Sequence, residues 1–207
     1  MRSPEPLTIG RPVDAIVIGA SSGGVEALSV LLPSLPARMR LPVFVVLHLP
    51  PDRPSRLADI FSRKCTLPVR EAEDKQPVEA GTVYFAPPDY HLLLDVGPAL
   101  ALSTDEAVNF SRPSIDVLFE SARDIYGHRL VAMLLTGASH DGAAGIHAIR
   151  CAGGCGIVQR PDTAQAPLMP ESALKRGPVD FVLTLEEIAA LLQTFDAGTP
   201  GGVSTIL

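Results

Sequence analysis

The sequence predicts an α/β sandwich built on a mainly parallel, doubly wound sheet, and three observations carry that prediction. Short uninterrupted apolar runs, Ala15–Ile18, Val43–Leu47 and Leu130–Leu135, have the length of strands covered on both faces. Segments with apolar residues at helical spacing alternate with such runs, as Val25, Leu28, Leu31 and Leu32 do after the first. Turn-forming residues rather than more core follow each run, the pattern of repeated strand–helix units.

A chain of 207 residues suits one domain with a core that needs no disulfide or metal staple. Residues 13–195 are expected to form that domain. Residues 1–12 mix proline, charge and glycine without periodicity and read as a loose tail, and residues 196–207 read as a second one. The 17 basic residues are scattered singly among 23 acidic ones, for a net charge of −6, which argues against a nucleic-acid partner. There is no apolar stretch suited to a signal peptide or a membrane span, so a cytoplasmic protein without membrane insertion is expected. Cys65, Cys151 and Cys155 show no paired motif and are read as reduced, mostly buried thiols.

In order, Ala15–Ile18 is the first strand, and Gly19-Ala-Ser-Ser-Gly-Gly24 is the turn into the first helix. Such a turn holds a hydroxyl out at the carboxyl end of a sheet, with helical N–H groups aimed at nearby negative charge. After a connector over Pro33–Pro42, the strand Val43–Leu47 ends at His48. Asp52 or Ser55 is placed to cap a helix reaching about Lys64, and Pro68–Ala72 is a short segment of unassigned type. Gly81–Ala86 and His91–Val96 read as two strands of a hairpin turned at Pro87-Pro88-Asp89, and Ala99–Ser103 as a further short strand. A helix from Ser114 to about Tyr126 leads to the strand Leu130–Leu135 and a second small-residue turn, Thr136–Gly142. A helix over Ala143–Ala152, a strand at Gly156–Gln159, a helix around Pro170–Lys175, a strand at Val179–Leu183 and a helix over Leu185–Phe195 complete the alternation.

Three residues with complementary chemistry therefore follow buried strands: Ser21, His48 and Asp141. Serine is a poor nucleophile near neutral pH unless an imidazole takes its proton and a carboxylate fixes the imidazole tautomer. Their order, Ser then His then Asp, differs from the Ser–Asp–His order of α/β-hydrolases and disfavours that fold. Each has a plainer reading: His48 as a structural histidine, Asp141 as a cap for the helix at Ala143, and the glycine-rich turn as a phosphate loop. His91, His128, His140 and His147 show no metal-ligand spacing, and His91 reads as an ordinary strand position.

Six segments in one order carry a resemblance: Ile18–Gly24, Val45–Pro51, Val83–His91, Arg112–Phe119, Leu134–Gly145 and Met169–Ala173. Together they resemble the catalytic domain of the chemotaxis protein-glutamate methylesterases, the CheB family, over about Asp14–Leu192. The resemblance implies a three-layer α/β/α domain, to which the segments at 81–103 add a small antiparallel hairpin. It also implies hydrolysis of glutamyl methyl esters, and often deamidation of glutamines, on the cytoplasmic helices of methylated chemoreceptors; with no carboxylate or histidine cluster in the sequence, no metal or cofactor is expected. Ser21 matches the nucleophile, His48 the general base and Asp141 the acid of the triad. Ser22, Gly23, Ala138 and Met169 fall in the oxyanion and substrate cleft, and Arg112 at its edge. Members of the family typically carry Met where this chain has Ala138, and Gly then a small polar residue where it has Ser139-His140; the imidazole of His140 is placed to compete for Asp141 or to reshape the cleft. They also join this domain to a receiver domain, whereas about a dozen residues precede the first strand here. Any control is thus expected from a separate partner protein, from receptor availability or from expression level, with activity unchanged by a phosphodonor. The competing readings are a non-catalytic receptor-binding module of the same fold and a nucleotide-binding protein; no Lys-Ser/Thr phosphate-loop pattern supports the latter.

Overall fold

A computed structural model describes residues 9–50 and 54–195. Nine strands and six α-helices lie along the described residues, alternating except for the run of four strands between the second and third helices. They are β1 (Ala15–Ala20), α1 (Gly24–Leu31), β2 (Val43–Leu47), α2 (Leu57–Ser62), β3 (Val69–Glu71), β4 (Val83–Phe85), β5 (His91–Asp95) and β6 (Ala99–Ser103). Then come α3 (Ile115–Tyr126), β7 (Leu130–Leu134), α4 (Ala143–Cys151), β8 (Cys155–Gln159), α5 (Leu168–Arg176), β9 (Phe181–Leu183) and α6 (Leu185–Gln193). Seven strands form one parallel sheet in the order β3-β4-β2-β1-β7-β8-β9. The chain runs outward from β1 through β2 and then returns to its other side at β7, so a crevice opens outside the carboxyl end of β1.

The apolar runs are continuous because both sheet faces are covered. On β1, Ile16, Ile18 and Ala20 face one core with Leu28 and Leu31 of α1, Phe61 of α2 and Leu191 of α6. Ala15 and Val17 face a second core with Leu118 and Phe119 of α3, Ile146 of α4 and Ala173 of α5. Thr184 starts α6 with a capping box: its hydroxyl accepts from Glu187 N at 3.2 Å while the Glu187 carboxylate accepts from Thr184 N at 2.8 Å.

The expected hairpin between Gly81–Ala86 and His91–Val96 does not form. β4, with all three residues buried, lies parallel between β2 and β3. β5 instead pairs antiparallel with β6, from His91 opposite Ser103 to Asp95 opposite Ala99. Two prolines at 87 and 88 cannot donate to a ladder, so the chain leaves the sheet there and pairs with the next strand available. The hairpin covers the α3 side, with Leu92, Leu94 and Leu100 in the second core. The segment Pro68–Ala72 contains the edge strand β3.

At the amino end, residues 9–12 are held rather than loose: Ile9 packs on the first core and the Arg11 guanidinium donates to the Gly153 carbonyl. The rest of the expected tail, and the tail at 196–207, lie outside the described residues. Of the three thiols only Cys155 is buried; Cys151 is exposed and Cys65 half-buried, because Cys151 ends α4 on its outer side.

Candidate active site

The three strand-end residues arrive at the same edge of the sheet. Ladder hydrogen bonds continue past β1 on both sides: His48 N donates to Ala20 O at 3.2 Å, and Ser21 N donates to Thr136 O at 2.9 Å. Ser21 is thereby fixed in a row between the residue that follows β2 and the turn that follows β7. The turn's left-handed residue is Gly23, with φ of 78°, not the serine. Tight approach demands the other glycines: a Cβ on Gly19 would stand 2.4 Å from Ile115 Cγ2, and one on Gly24 2.4 Å from Leu47 Cδ1. Thr136, buried, braces the turn, since its hydroxyl donates to Ser22 O at 2.8 Å and accepts from Ala166 N at 2.9 Å. Among the described residues the N–H groups of Ser22 and Gly23 donate to no protein acceptor, which leaves them open to an anion beside Ser21.

His48 Nε2 lies 2.9 Å from Asp141 Oδ2. The carboxylate only accepts, so Nε2 carries the proton and Nδ1 keeps the lone pair needed by a base. Asp141 is fully buried and takes further hydrogen bonds from Ile115 N at 2.6 Å, Asn109 Nδ2 and Ser114 Oγ at 2.8 Å each, and Asp116 N at 3.2 Å. Burial alone would push its carboxyl pKa up; the hydrogen bonds from His48, Asn109 and Ile115 outweigh that and hold it below the ordinary carboxylate value. Asp141 is not the cap of α4, whose N-cap is Gly142 with no side-chain bond. It caps α3 instead, seated on the first two N–H groups of that helix, where the macrodipole also favours its charge. His140 is exposed and makes no hydrogen bond to Asp141 among the described residues, so the expected competition for the carboxylate is not seen.

Several supports of this arrangement have no local sequence signal. Asn109 bridges two carboxylates, with Nδ2 2.8 Å from both Asp141 Oδ1 and Asp116 Oδ2. Burial raises the Asp116 pKa, against the hydrogen bond from Gly145 N, and the nearby Asp141 charge raises it further. His91, expected to be an ordinary strand residue, is buried and joins two segments: Nδ1 accepts from Ser114 N and Nε2 donates to Glu106 O, both at 3.1 Å.

An open cleft of about 540 Å³ runs from His48, Leu49 and Pro50 to Asp89, Ala107, Phe110, Ser111, Arg112 and Pro113. Arg112 forms its edge but holds the protein rather than solvent: Nε and Nη2 donate to Asp89 Oδ1 at 3.0 and 2.6 Å, and Nη1 to the carbonyls of Thr104 and Asp105. Ser22 and Ala138 are exposed, and a Cβ on Gly137, the neighbour of Ala138, would stand 2.9 Å from Ser21 Cβ. Met169 is corrected from a cleft residue to a backing one: it is fully buried, and a Cβ on Gly137 would stand 2.4 Å from its Cε. Among the described residues no three His, Cys, Asp or Glu side chains gather to hold a metal, and no helix is long and apolar enough to cross a membrane.

Residues 16–192 match the family described as CheB methylesterase. A Leptospira interrogans protein is 44% identical over 183 residues, covering 88% of this chain and 95% of that one. A Symbiobacterium thermophilum protein named protein-glutamate methylesterase/protein-glutamine glutaminase is 38% identical over 178 residues, and 49% of its length is covered. The crystal structure of the Thermotoga maritima CheB methylesterase catalytic domain superposes with a TM-score of 0.84 at 34% identity, covering 89% of this chain and 99% of that one.

Proposed function

The chain belongs to the CheB methylesterase family, and from that premise we propose that it is a protein-glutamate methylesterase and protein-glutamine glutaminase whose triad is Ser21, His48 and Asp141. The observation that carries the residue roles is the pair of half-buried His48 and buried Asp141 brought to the strand edge beside Ser21. His48 Nδ1 takes the hydroxyl proton as Ser21 Oγ bonds to the ester carbonyl carbon. The N–H groups at Ser22 and Gly23 stabilise the resulting oxyanion. The imidazolium returns its proton to the leaving methoxide, releasing methanol and leaving an acyl-serine. Water then attacks the acyl group with His48 again as base, freeing glutamate and Ser21. With a glutamine side chain the leaving group is ammonia, and the remaining steps are the same. The substrates are the methylated glutamates of chemoreceptor cytoplasmic helices, and the protein works in the cytoplasm in signal transduction.

Methanol release from methylated receptor cytoplasmic fragments tests this reading. The chain is expected to release methanol and its Ser21→Ala variant to lose most turnover. A serine-directed organophosphonate should label Ser21. A folded chain that neither labels nor releases methanol would refute the assignment.

A further inference from the structure

Val108 and Ser111 exchange backbone hydrogen bonds of 3.2 and 3.0 Å, closing a two-residue turn over Asn109 and Phe110. Both central residues are left-handed, with φ of 52° and 60°. This is the combination of a type I′ turn, whose preferred pair is Asn-Gly. Asn109 suits its place and anchors it on Asp141 and Asp116. Phe110 suits neither its backbone nor its surroundings: a bulky residue is disfavoured at positive φ, and its side chain is 96% exposed. Two unfavourable features at one residue, on a turn tied to the catalytic aspartate, point to an occupant outside the chain. Phe110 shares the cleft with His48, Leu49 and Pro50.

We propose that Phe110 is the substrate anchor: it packs on the apolar flank of the helix bearing the glutamyl ester and so selects the protein substrate. This rests on the methylesterase reading. A second copy of the chain is the poorer occupant, since one seated on Phe110 would cover His48 in the same cleft. Affinity for a methylated receptor fragment, measured without turnover in Ser21→Ala and in Ser21→Ala with Phe110→Gly, tests it. Glycine should weaken binding on the order of tenfold or more. It should leave the melting temperature equal or higher, because Asn-Gly is the favoured turn pair. Phe110→Leu should retain most of the affinity. Equal affinity with and without Phe110→Gly overturns the proposal, as does no binding by Ser21→Ala itself. A dimer lost in Phe110→Gly with receptor affinity unchanged also overturns it. Failure of the methylesterase reading shows separately, as absent methanol release by the unaltered chain, because this test reads binding alone.

Discussion

Asp141 holds two elements at once, and its substitution should separate their energetics. Its carboxylate orients His48 and caps α3, so Asp141→Asn keeps the size while offering an amide N–H where Nε2–H now donates. The favoured imidazole tautomer then reverses, and turnover is expected to fall on the order of 10⁴-fold by initial-rate measurement. The same change has a pH signature in stability. The folded-state pKa of Asp141 lies below the ordinary 3.8, so the ionised carboxylate contributes stability that is present above the unfolded value and lost as pH falls through the folded one. Asp141→Asn should therefore be most destabilising near pH 7, with the difference shrinking below about pH 4. Urea unfolding at both pH values checks this; a constant difference would mean that the charge is not what α3 holds.

At the scale of elements, the turn between β1 and α1 works because nothing projects from Gly19. Ile115, the first residue of α3, fills that space, and its β-branch leaves it few rotamers to retreat into. Gly19→Ala is expected to cost about 1–3 kcal/mol by overpacking. It should also lower turnover, because Ile115 N is one of the donors that seat Asp141. Thr184→Ala is the contrasting case. It removes the α6 capping box, far along the chain from the crevice, for about 1 kcal/mol, and turnover should stay unchanged. Denaturant midpoints set beside initial rates distinguish the two outcomes.

For the whole molecule, the sheet separates two cores, and only one of them holds the helix whose N–H groups seat Asp141. Phe61 belongs to the core under α1, α2 and α6, while Phe119 belongs to the core under α3, α4 and the β5–β6 hairpin, and both are fully buried. Truncation of either to Ala should destabilise by about 3–5 kcal/mol. Phe119→Ala should also reduce turnover at temperatures where the variant stays folded, because α3 carries the donors to Asp141; Phe61→Ala should not. Thermal unfolding followed by rate measurements below each transition checks the asymmetry, and equal rate losses would contradict it.

By itself the sequence determined the layers and the ends of the strands. A fully buried parallel strand must be apolar throughout, and a chain leaving it must turn, so Ala15–Ile18, Val43–Leu47 and Leu130–Leu135 announced both the sheet and the places of Ser21, His48 and Asp141. Pairing was another matter, because local pattern records burial and period but not the partner. The strand at Val83–Phe85 joined the parallel sheet and left His91–Asp95 to pair with Ala99–Ser103. Only the tertiary structure decided that Asp141 caps α3 rather than its own helix, and that Asn109 and His91 support the site. Those contacts join side chains to groups 7 to 32 positions away, or 93 in the His48–Asp141 pair, and single long-range hydrogen bonds leave no periodic trace in a sequence.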